Sequence, residues 1–293
     1  MKLTIIGFGE AGQAIAQGLR GETECPEICC FDIKTLDPAQ AAGLDQAASS
    51  LKVTNCQSLA QAVEDADILI STVTAGSAMD VAWAVSKLQP QAKAFFDMNS
   101  VAPGTKREEA ALLEEAGVAY VDTAVMAPIH PRLHKTPMLL AGPSAQSFTA
   151  LLSAWNMDVR VVGDAVGRAS SIKMLRSVMI KGLEALTAEM GLAAEKAGVS
   201  EEVIGSLNAS FPGIDWAERT AYNLERMTTH GVRRAEEMEE VVKTLEDLGI
   251  NPELSSGTVR RQRRFGESEV ILNGAELDLK QSSHRIFAKL NVI

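Results

Sequence analysis

The sequence predicts a doubly wound, mostly parallel α/β domain followed by an all-helical domain. Strand-length apolar runs alternate with helix-like segments up to about residue 163. A glycine pattern joins the first run to the first helix, and strand patterning stops after Val162-Gly163-Asp164. Such alternation predicts parallel strands joined by crossover helices. We therefore expect two domains, residues 1–163 and 164–293.

The expected strands are the apolar runs at 2–6, 28–32, 67–73, 94–98, 118–125, 137–141 and 158–162, with antiparallel pairing among the last of them. Helical periodicity occupies 13–20, 102–116 and 144–155. From Gly167 to Ala197 a single proline-free helix is expected. There Ile172, Leu175, Val178, Met179, Leu183 and Leu186 recur at helical spacing, and Met174 and Ile180 widen the apolar face. A helix apolar on most sides is buried between others. Gly198 is suited to end it. Further helices are expected at 200–210, 215–228, 232–248 and 252–265, with no internal repeat and no low-complexity tract.

Apolar residues make up 46% of the chain and charged residues 23%, as in ordinary soluble enzymes. The formal charge of −10 argues against nucleic-acid or anionic-membrane binding. No apolar stretch approaches the roughly 18 residues of a membrane span. The first strand begins at residue 3 and runs into the glycine turn, so no signal peptide is expected. Cys25, Cys29, Cys30 and Cys56 fit neither a disulfide framework nor a zinc site. Reduced thiols and a cytoplasmic location follow as expectations, with Cys29 and Cys30 on opposite faces of their strand.

The pattern Gly7-Phe8-Gly9-Glu10-Ala11-Gly12 sits between a strand and a helix, and Asp32 ends the next strand 20 residues on from Gly12. That context is what a dinucleotide-binding Rossmann domain requires. Gly7 allows the turn out of the strand, Gly9 lets a pyrophosphate approach the backbone, and Gly12 lets the helix pack on the strand. The helix N-terminus offers N–H groups and a positive dipole end to the phosphates. Asp32 is suited to the adenosine ribose hydroxyls and repels a 2′-phosphate, which favours NAD. Lys34 softens that preference and keeps NADP as the alternative. Thr72 and Val73, closing the run at 67–73, and Asn99 complete the expected cofactor-binding set.

Lys173 lies early in the long helix among apolar neighbours. Desolvation favours the neutral amine, which suits general acid/base work; a lysine snorkelling at a domain junction is the structural alternative. Ser177 and Lys181 follow at i+4 and i+8, near one face.

The chain resembles the β-hydroxyacid dehydrogenase family, which includes 3-hydroxyisobutyrate and 6-phosphogluconate dehydrogenases. The resemblance runs over the whole chain. It is carried by residues 5–12, by Asp97-Met98-Asn99-Ser100-Val101-Ala102-Pro103 and by residues 167–173. Lys173-Met174-Leu175-Arg176-Ser177, Lys181-Gly182 and residues 230–238 resemble the branch with a distinct phosphogluconate-dehydrogenase-like C-terminal domain. The resemblance implies that Lys173 is the general acid/base in hydride transfer between NAD(P) and a small hydroxyacid. It also implies that the segment from Asp97 to Pro103 flanks nicotinamide and substrate. Ser100, Met126, Ala127, Pro128, Ser177, Lys181 and Arg233 are the corresponding substrate-binding candidates.

Two departures stand out. Where the family carries Ser-Gly-Gly for a substrate carboxylate, this chain has Met126-Ala127-Pro128, and Pro128 has no N–H. The family's asparagine four residues after the lysine is Ser177 here. The Lys-Gly-Thr-Gly-x-Trp signature of 6-phosphogluconate dehydrogenase is absent. Two other function classes stay open. Imine reductases share the architecture but usually carry aspartate or tyrosine where Lys173 stands. A non-catalytic NAD(P)H-binding redox sensor would keep the cofactor fold alone.

His130 and His134 flank Pro131 without an evident third ligand, so no metal site is expected. Their loop, 127–136, is expected to line the substrate entrance. Residues 260–264, with four arginines, read as a solvated face or an oligomer contact. Residues 236–240 suit i,i+3 and i,i+4 pairing with Arg233 and Arg234 on an exposed helix, while Arg233 alternatively holds an anionic substrate. A homodimer is expected, with Phe211, Trp216, Met227 and Leu245 as candidate contacts.

Overall fold

The computed structural model describes residues 1–272 and 278–289, and the chain forms two compact units, Met1–Lys173 and Met174–Ile293. The expected boundary at 163/164 falls instead at the end of a strand; the units divide inside the helix that follows.

The first unit is built on β1 (Lys2–Ile6), β2 (Glu27–Phe31), β3 (Thr54–Asn55), β4 (Ile68–Ser71), β5 (Ala94–Asp97), β6 (Ala119–Val125), β7 (Met138–Ala141) and β8 (Val159–Gly163). They form one sheet in the order β3-β2-β1-β4-β5-β6-β7-β8. All neighbours are parallel except β6 and β7, the antiparallel turn expected late in the sheet. β1 and β4 are almost wholly apolar because both sheet faces are covered. Leu3, Ile5, Ile68 and Ile70 enter one core, and Ile6 and Leu69 enter the other. Thr4 fits by donating its hydroxyl to Ala62 O at 2.7 Å. Cys29 and Cys30 do point to opposite faces, and all four cysteines are free thiols. β3 was not expected, since two residues carry no readable period.

The helices of this unit are α1 (Glu10–Arg20), α2 (Pro38–Ser50), α3 (Leu59–Val63), α4 (Ala78–Leu88), α5 (Pro103–Glu115) and α6 (Thr149–Ala154). Asp37 and Ser58 cap α2 and α3 by accepting N–H bonds from Ala39 and Gln61. α7 (Arg168–Ala197) follows, and the second unit adds α8 (Ser200–Ser210), α9 (Trp216–Asp247), α10 (Glu253–Gly266) and α11 (Leu279–Lys289). The end of the expected helical domain, residues 290–293, and residues 273–277 within it lie outside the described residues.

Two helix expectations are corrected. Residues 215–228 and 232–248 form a single helix, α9, because Gly231 is a crossing point rather than a break. A Cβ at Gly231 would lie 2.6 Å from Gly266 N, so the α9 and α10 backbones touch where only glycine fits. α7 is also not buried on all sides. Met174 packs with Met238, Val241 and Leu245, but Met179 and Leu186 are 62% and 60% exposed. Met227 and Leu245, expected at a subunit contact, are core residues of the second unit. Among the described residues no helix is long and apolar enough to cross a membrane.

Candidate functional site

The sheet order reverses direction at β1 and β4, and ligands of open α/β sheets bind beyond the strand C-termini at such a point. Three glycines shape that edge differently. Gly7 has φ +87°, and a Cβ there would lie 2.7 Å from both Thr72 O and Val73 Cγ1. A Cβ on Gly12 would strike Gly7 O and stand 3.0 Å from Thr72 Oγ1. Gly9 faces open space, with no atom within 4 Å of a Cβ. Gly9 is the N-cap of α1, and Gln13 N–H makes the first helical bond to Gly9 O at 3.0 Å. The preceding N–H groups, at Ala11 and Gly12, lie in the first turn, where they have no i−4 carbonyl. Thr72 Oγ1 braces the turn by donating to Gly7 O at 2.6 Å. The residues present fit a dinucleotide: a glycine cradle open at Gly9, set on a helix N-terminus.

Phe8 joins this loop through its backbone. Its side chain is buried in the core, and its N–H donates to Asp32 Oδ2 at 2.7 Å. Asp32 Oδ1 accepts the Lys34 N–H at 3.0 Å and caps a short 3-10 turn, Ile33–Leu36. A carboxylate has about four lone-pair sites, so these bonds leave capacity for ribose hydroxyls. The Lys34 side chain is exposed, as is Glu10.

The loop after β5 carries the next candidates. Asn99 Nδ2 donates to Ser71 Oγ at 2.9 Å, and Asn99 N–H to Asp97 Oδ1 at 2.9 Å. Asn99 Oδ1 is buried and has no partner among the described residues. Lys173 Nζ donates to Ser100 Oγ at 2.6 Å. A continuous path therefore runs along the sheet edge: the glycine turn to Thr72, Ser71 to Asn99, and Ser100 to Lys173.

Beneath this edge lies a charged network that sequence reasoning missed. Asp97, Lys106, Tyr120 and Asp122 are fully buried, and Glu109 is 1% exposed. Lys106 Nζ lies 2.8 Å from Asp97 Oδ2 and 3.9 Å from Asp122 Oδ1. Tyr120 Oη is 2.7 Å from both Asp97 Oδ2 and Glu109 Oε2. A phenol has one proton to donate, so a protonated Glu109 completes the pair. Burial and the Asp97 charge push the Glu109 carboxyl up, to about 9. Burial opposes charge on Asp97, but the Lys106 charge beside it, with the hydrogen bonds the carboxylate accepts, outweighs it and holds that carboxyl low. The visible signal was Lys106 and Glu109 at i,i+3 on the inner face of α5, beside Ala110 and Leu113.

Glu109 gives a pH prediction. Its folded pKa is raised, so its stabilising contribution is complete below the unfolded value near about 4.3 and is lost as pH rises toward about 9. Glu109→Gln keeps a neutral donor at every pH. It should therefore stabilise the protein at pH 8 relative to pH 5, by a few kcal/mol at most at about 1.4 kcal/mol per pH unit. Urea unfolding at both pH values measures this; identical pH slopes for variant and wild type would sink it.

The altered carboxylate loop has little to offer an anion. Met126 N–H is spent on Pro137 O at 2.9 Å, and its side chain packs against Ala124, Leu139, Ala141 and Ala169. Ala127 and Pro128 are exposed. The expectation that 127–136 lines an entrance is corrected for three of its residues. Ile129, His134 and Thr136 are buried, and a Cβ on Gly18 of α1 would strike the His134 ring. His134 Nε2 is 3.0 Å from Glu22 Oε1, so this histidine staples the loop to α1. Among the described residues no group of three or more His, Cys, Asp or Glu could hold a metal ion.

In the second unit, Lys181 is buried and committed: Nζ lies 2.9 Å from Glu237 Oε2 and donates to Ser177 Oγ at 3.3 Å. Glu237 thus reaches across to α7 rather than pairing only along its own helix. Arg233 is exposed on α9. Its neighbour Arg234 is buried and forks onto Glu184, which also accepts from Gln262 Nε2 at 2.7 Å. The arginine run divides: Arg263 pairs with Glu239 at 2.7 Å, and Arg261 pairs with Glu189.

Comparison with known proteins gives two family matches. The family described as the NAD binding domain of 6-phosphogluconate dehydrogenase matches residues 2–155, and a domain of unknown function, DUF1932, matches residues 194–265. A conserved hypothetical protein from Sinorhizobium meliloti 1021 is 34% identical, with a TM-score of 0.75, over 99% of this chain and 97% of that one. The conserved protein MTH1747 is 28% identical, with a TM-score of 0.69, over 90% of this chain and 96% of its own; it is described as structurally similar to 3-hydroxyacid dehydrogenases. A Mycobacterium tuberculosis 3-hydroxyisobutyrate dehydrogenase studied with L-serine is 17% identical, with a TM-score of 0.72, over 97% of this chain and 98% of its own. At that identity the last likeness is one of fold.

Proposed function

Because the chain belongs to the β-hydroxyacid dehydrogenase family, we propose that it transfers a hydride between NAD(P) and a small hydroxyacid-type substrate, with Lys173 as general acid/base. The observation that carries this reading is the bond from Lys173 Nζ to Ser100 Oγ, 2.6 Å, at the end of the path that starts in the glycine turn. The nicotinamide, when bound, supplies the hydride chemistry. Gly7 to Gly12 and Asp32 hold the dinucleotide, and the buried Asn99 Oδ1 is an acceptor available to it. Lys173, as neutral amine, takes the hydroxyl proton in oxidation and, as ammonium, returns it to the carbonyl oxygen in reduction. Ser100 orients Nζ. Asp32 favours NAD over NADP.

The substrate contacts are narrower than the resemblance implied. Lys181 is paired with Glu237, which offsets its charge toward an anion, and Met126 N–H is engaged with Pro137 O. Ser100 and Arg233 keep their candidacy. A hydride-transfer screen of hydroxyacids and polyols with both cofactors, wild type against Lys173→Ala, tests the reading. NADH binding without turnover across the whole screen favours the redox-sensor alternative.

The homodimer belongs to the same proposal. Leu254 (82% exposed), Met179, Leu186 and Phe211 supply the exposed apolar surface of the second unit in place of Met227 and Leu245. Light scattering should give twice the chain mass; a stable monomer at micromolar concentration removes it.

A further inference from the structure

We propose that Asp122 and Lys106 are positioning residues that hold Lys173 in register with Ser100; this rests on the reading of Lys173 as the proton-transfer group. Asp122 stands on β6 directly opposite Asp97 on β5. Its Oδ2 accepts from Gly167 N–H at 3.0 Å, Ser170 N–H at 3.1 Å and Ser170 Oγ at 3.3 Å. These donors belong to the start of α7, where N–H groups have no helical partner. Asp122 therefore caps α7 from a strand of the sheet, where a local cap would fix the helix only to its own preceding loop.

Lys173 lies three residues beyond Ser170, within the same turn, so displacement of that turn moves Nζ directly. The opposite side of the contact is fixed from Asp97. Its Oδ1 accepts the Asn99 N–H at 2.9 Å, next to Ser100. Lys106 joins the two carboxylates, at 2.8 Å from Asp97 and 3.9 Å from Asp122, and also donates to Asp97 O at 2.7 Å. One buried cation thus ties together the two chain segments that meet at Lys173 and Ser100. All three side chains are fully buried, so water does not compete for these bonds. A buried ion pair is weak evidence for stability, since apolar replacements are often neutral or better. Fixing a register is what an apolar pair in this place would not do.

The test uses Asp122→Asn, which keeps a carbonyl oxygen for the α7 N–H groups but loses the charge, together with Lys106→Met. Ser170→Ala, which removes the hydroxyl contacts to Asp122 at 3.3 Å and Gly167 O at 3.1 Å but keeps the two N–H bonds to Asp122, is the mild variant if the others fold poorly. The lysines are reductively methylated with a 13C label, and the Lys173 resonance is assigned by its loss in Lys173→Arg. We expect that resonance to shift and narrow in the variants while those of Lys34 and Lys93 stay in place. In the turnover assay kcat should fall by about a hundredfold, the cost of misplacing a reacting group by roughly 1 Å. KM and NADH affinity should stay within about twofold, the pattern of an interaction made only in the transition state. An unmoved Lys173 resonance with unchanged kcat overturns the proposal. A moved resonance in a protein whose Lys173→Ala variant still turns over supports the positioning and removes only the proton-transfer reading.

Discussion

Gly9→Val is expected to abolish NADH binding and leave the fold intact. The two halves of that expectation have separate grounds. Gly9 has φ −79° and ψ −156°, extended backbone open to any residue, and its Cβ direction meets nothing within 4 Å. Valine therefore costs the apoprotein little. The same emptiness is what the glycine provides: a pyrophosphate placed against the α1 N-terminus occupies the volume the valine would fill. Titration by nicotinamide fluorescence should show affinity reduced by at least about a hundredfold, equivalent to roughly 2.7 kcal/mol, with the thermal midpoint moved by only a few degrees. Unchanged titration would remove the dinucleotide assignment. The neighbouring glycines are the contrast. A Cβ at Gly7 needs φ +87° and meets Thr72 O at 2.7 Å, so substitution there unfolds the loop before it tests binding.

What the sequence made legible was whatever had a short period or a short spacing. Seven of the strands are apolar runs of ordinary length, and the glycine turn is a contiguous motif, so both could be read directly. The physical roles expected of Gly7, Gly9 and Gly12 correspond to a positive φ, an open face and a crowded one. What was lost depended on partners far along the chain. Gly231 falls between the helices expected at 215–228 and 232–248; only the close approach of Gly266, 35 residues on, makes it a crossing point inside one helix. Asp122 sits inside an apolar strand pattern without a local reason. Its reason is the start of α7, 45 residues away at Gly167.

The same limit applied to charge. On its own helix Lys181 meets only Ser177, and its ion-pair partner Glu237 lies on α9, 56 residues further along the chain. Arg233 and Arg234 are adjacent in sequence, yet one is exposed and the other forks onto the buried Glu184. Helical phase separates them on α9.

Lys173→Ala is expected to lower turnover by about 10² to 10⁴, the usual worth of a positioned general acid/base, with NADH affinity unchanged. The separation follows from where the side chain stands. Lys173 meets the sheet edge through Ser100, two strands along from β1 and the glycine cradle. Its removal therefore leaves Gly9, the α1 N-terminus and Asp32 in place. Lys173→Arg is the more discriminating variant. Arginine keeps a positive donor able to reach Ser100, but a guanidinium does not give up its proton in proteins. If Lys173 served only to hold charge beside the substrate or to tie α7 to the β5 loop, arginine would restore much of the rate. If Nζ must alternate between amine and ammonium, arginine fails as alanine does. Stopped-flow measurement of hydride transfer at saturating cofactor, on the best substrate of the screen, separates the two. Retained turnover in Lys173→Ala with full NADH binding would sink the catalytic assignment outright, and rescue by arginine alone would reduce Lys173 to an electrostatic anchor.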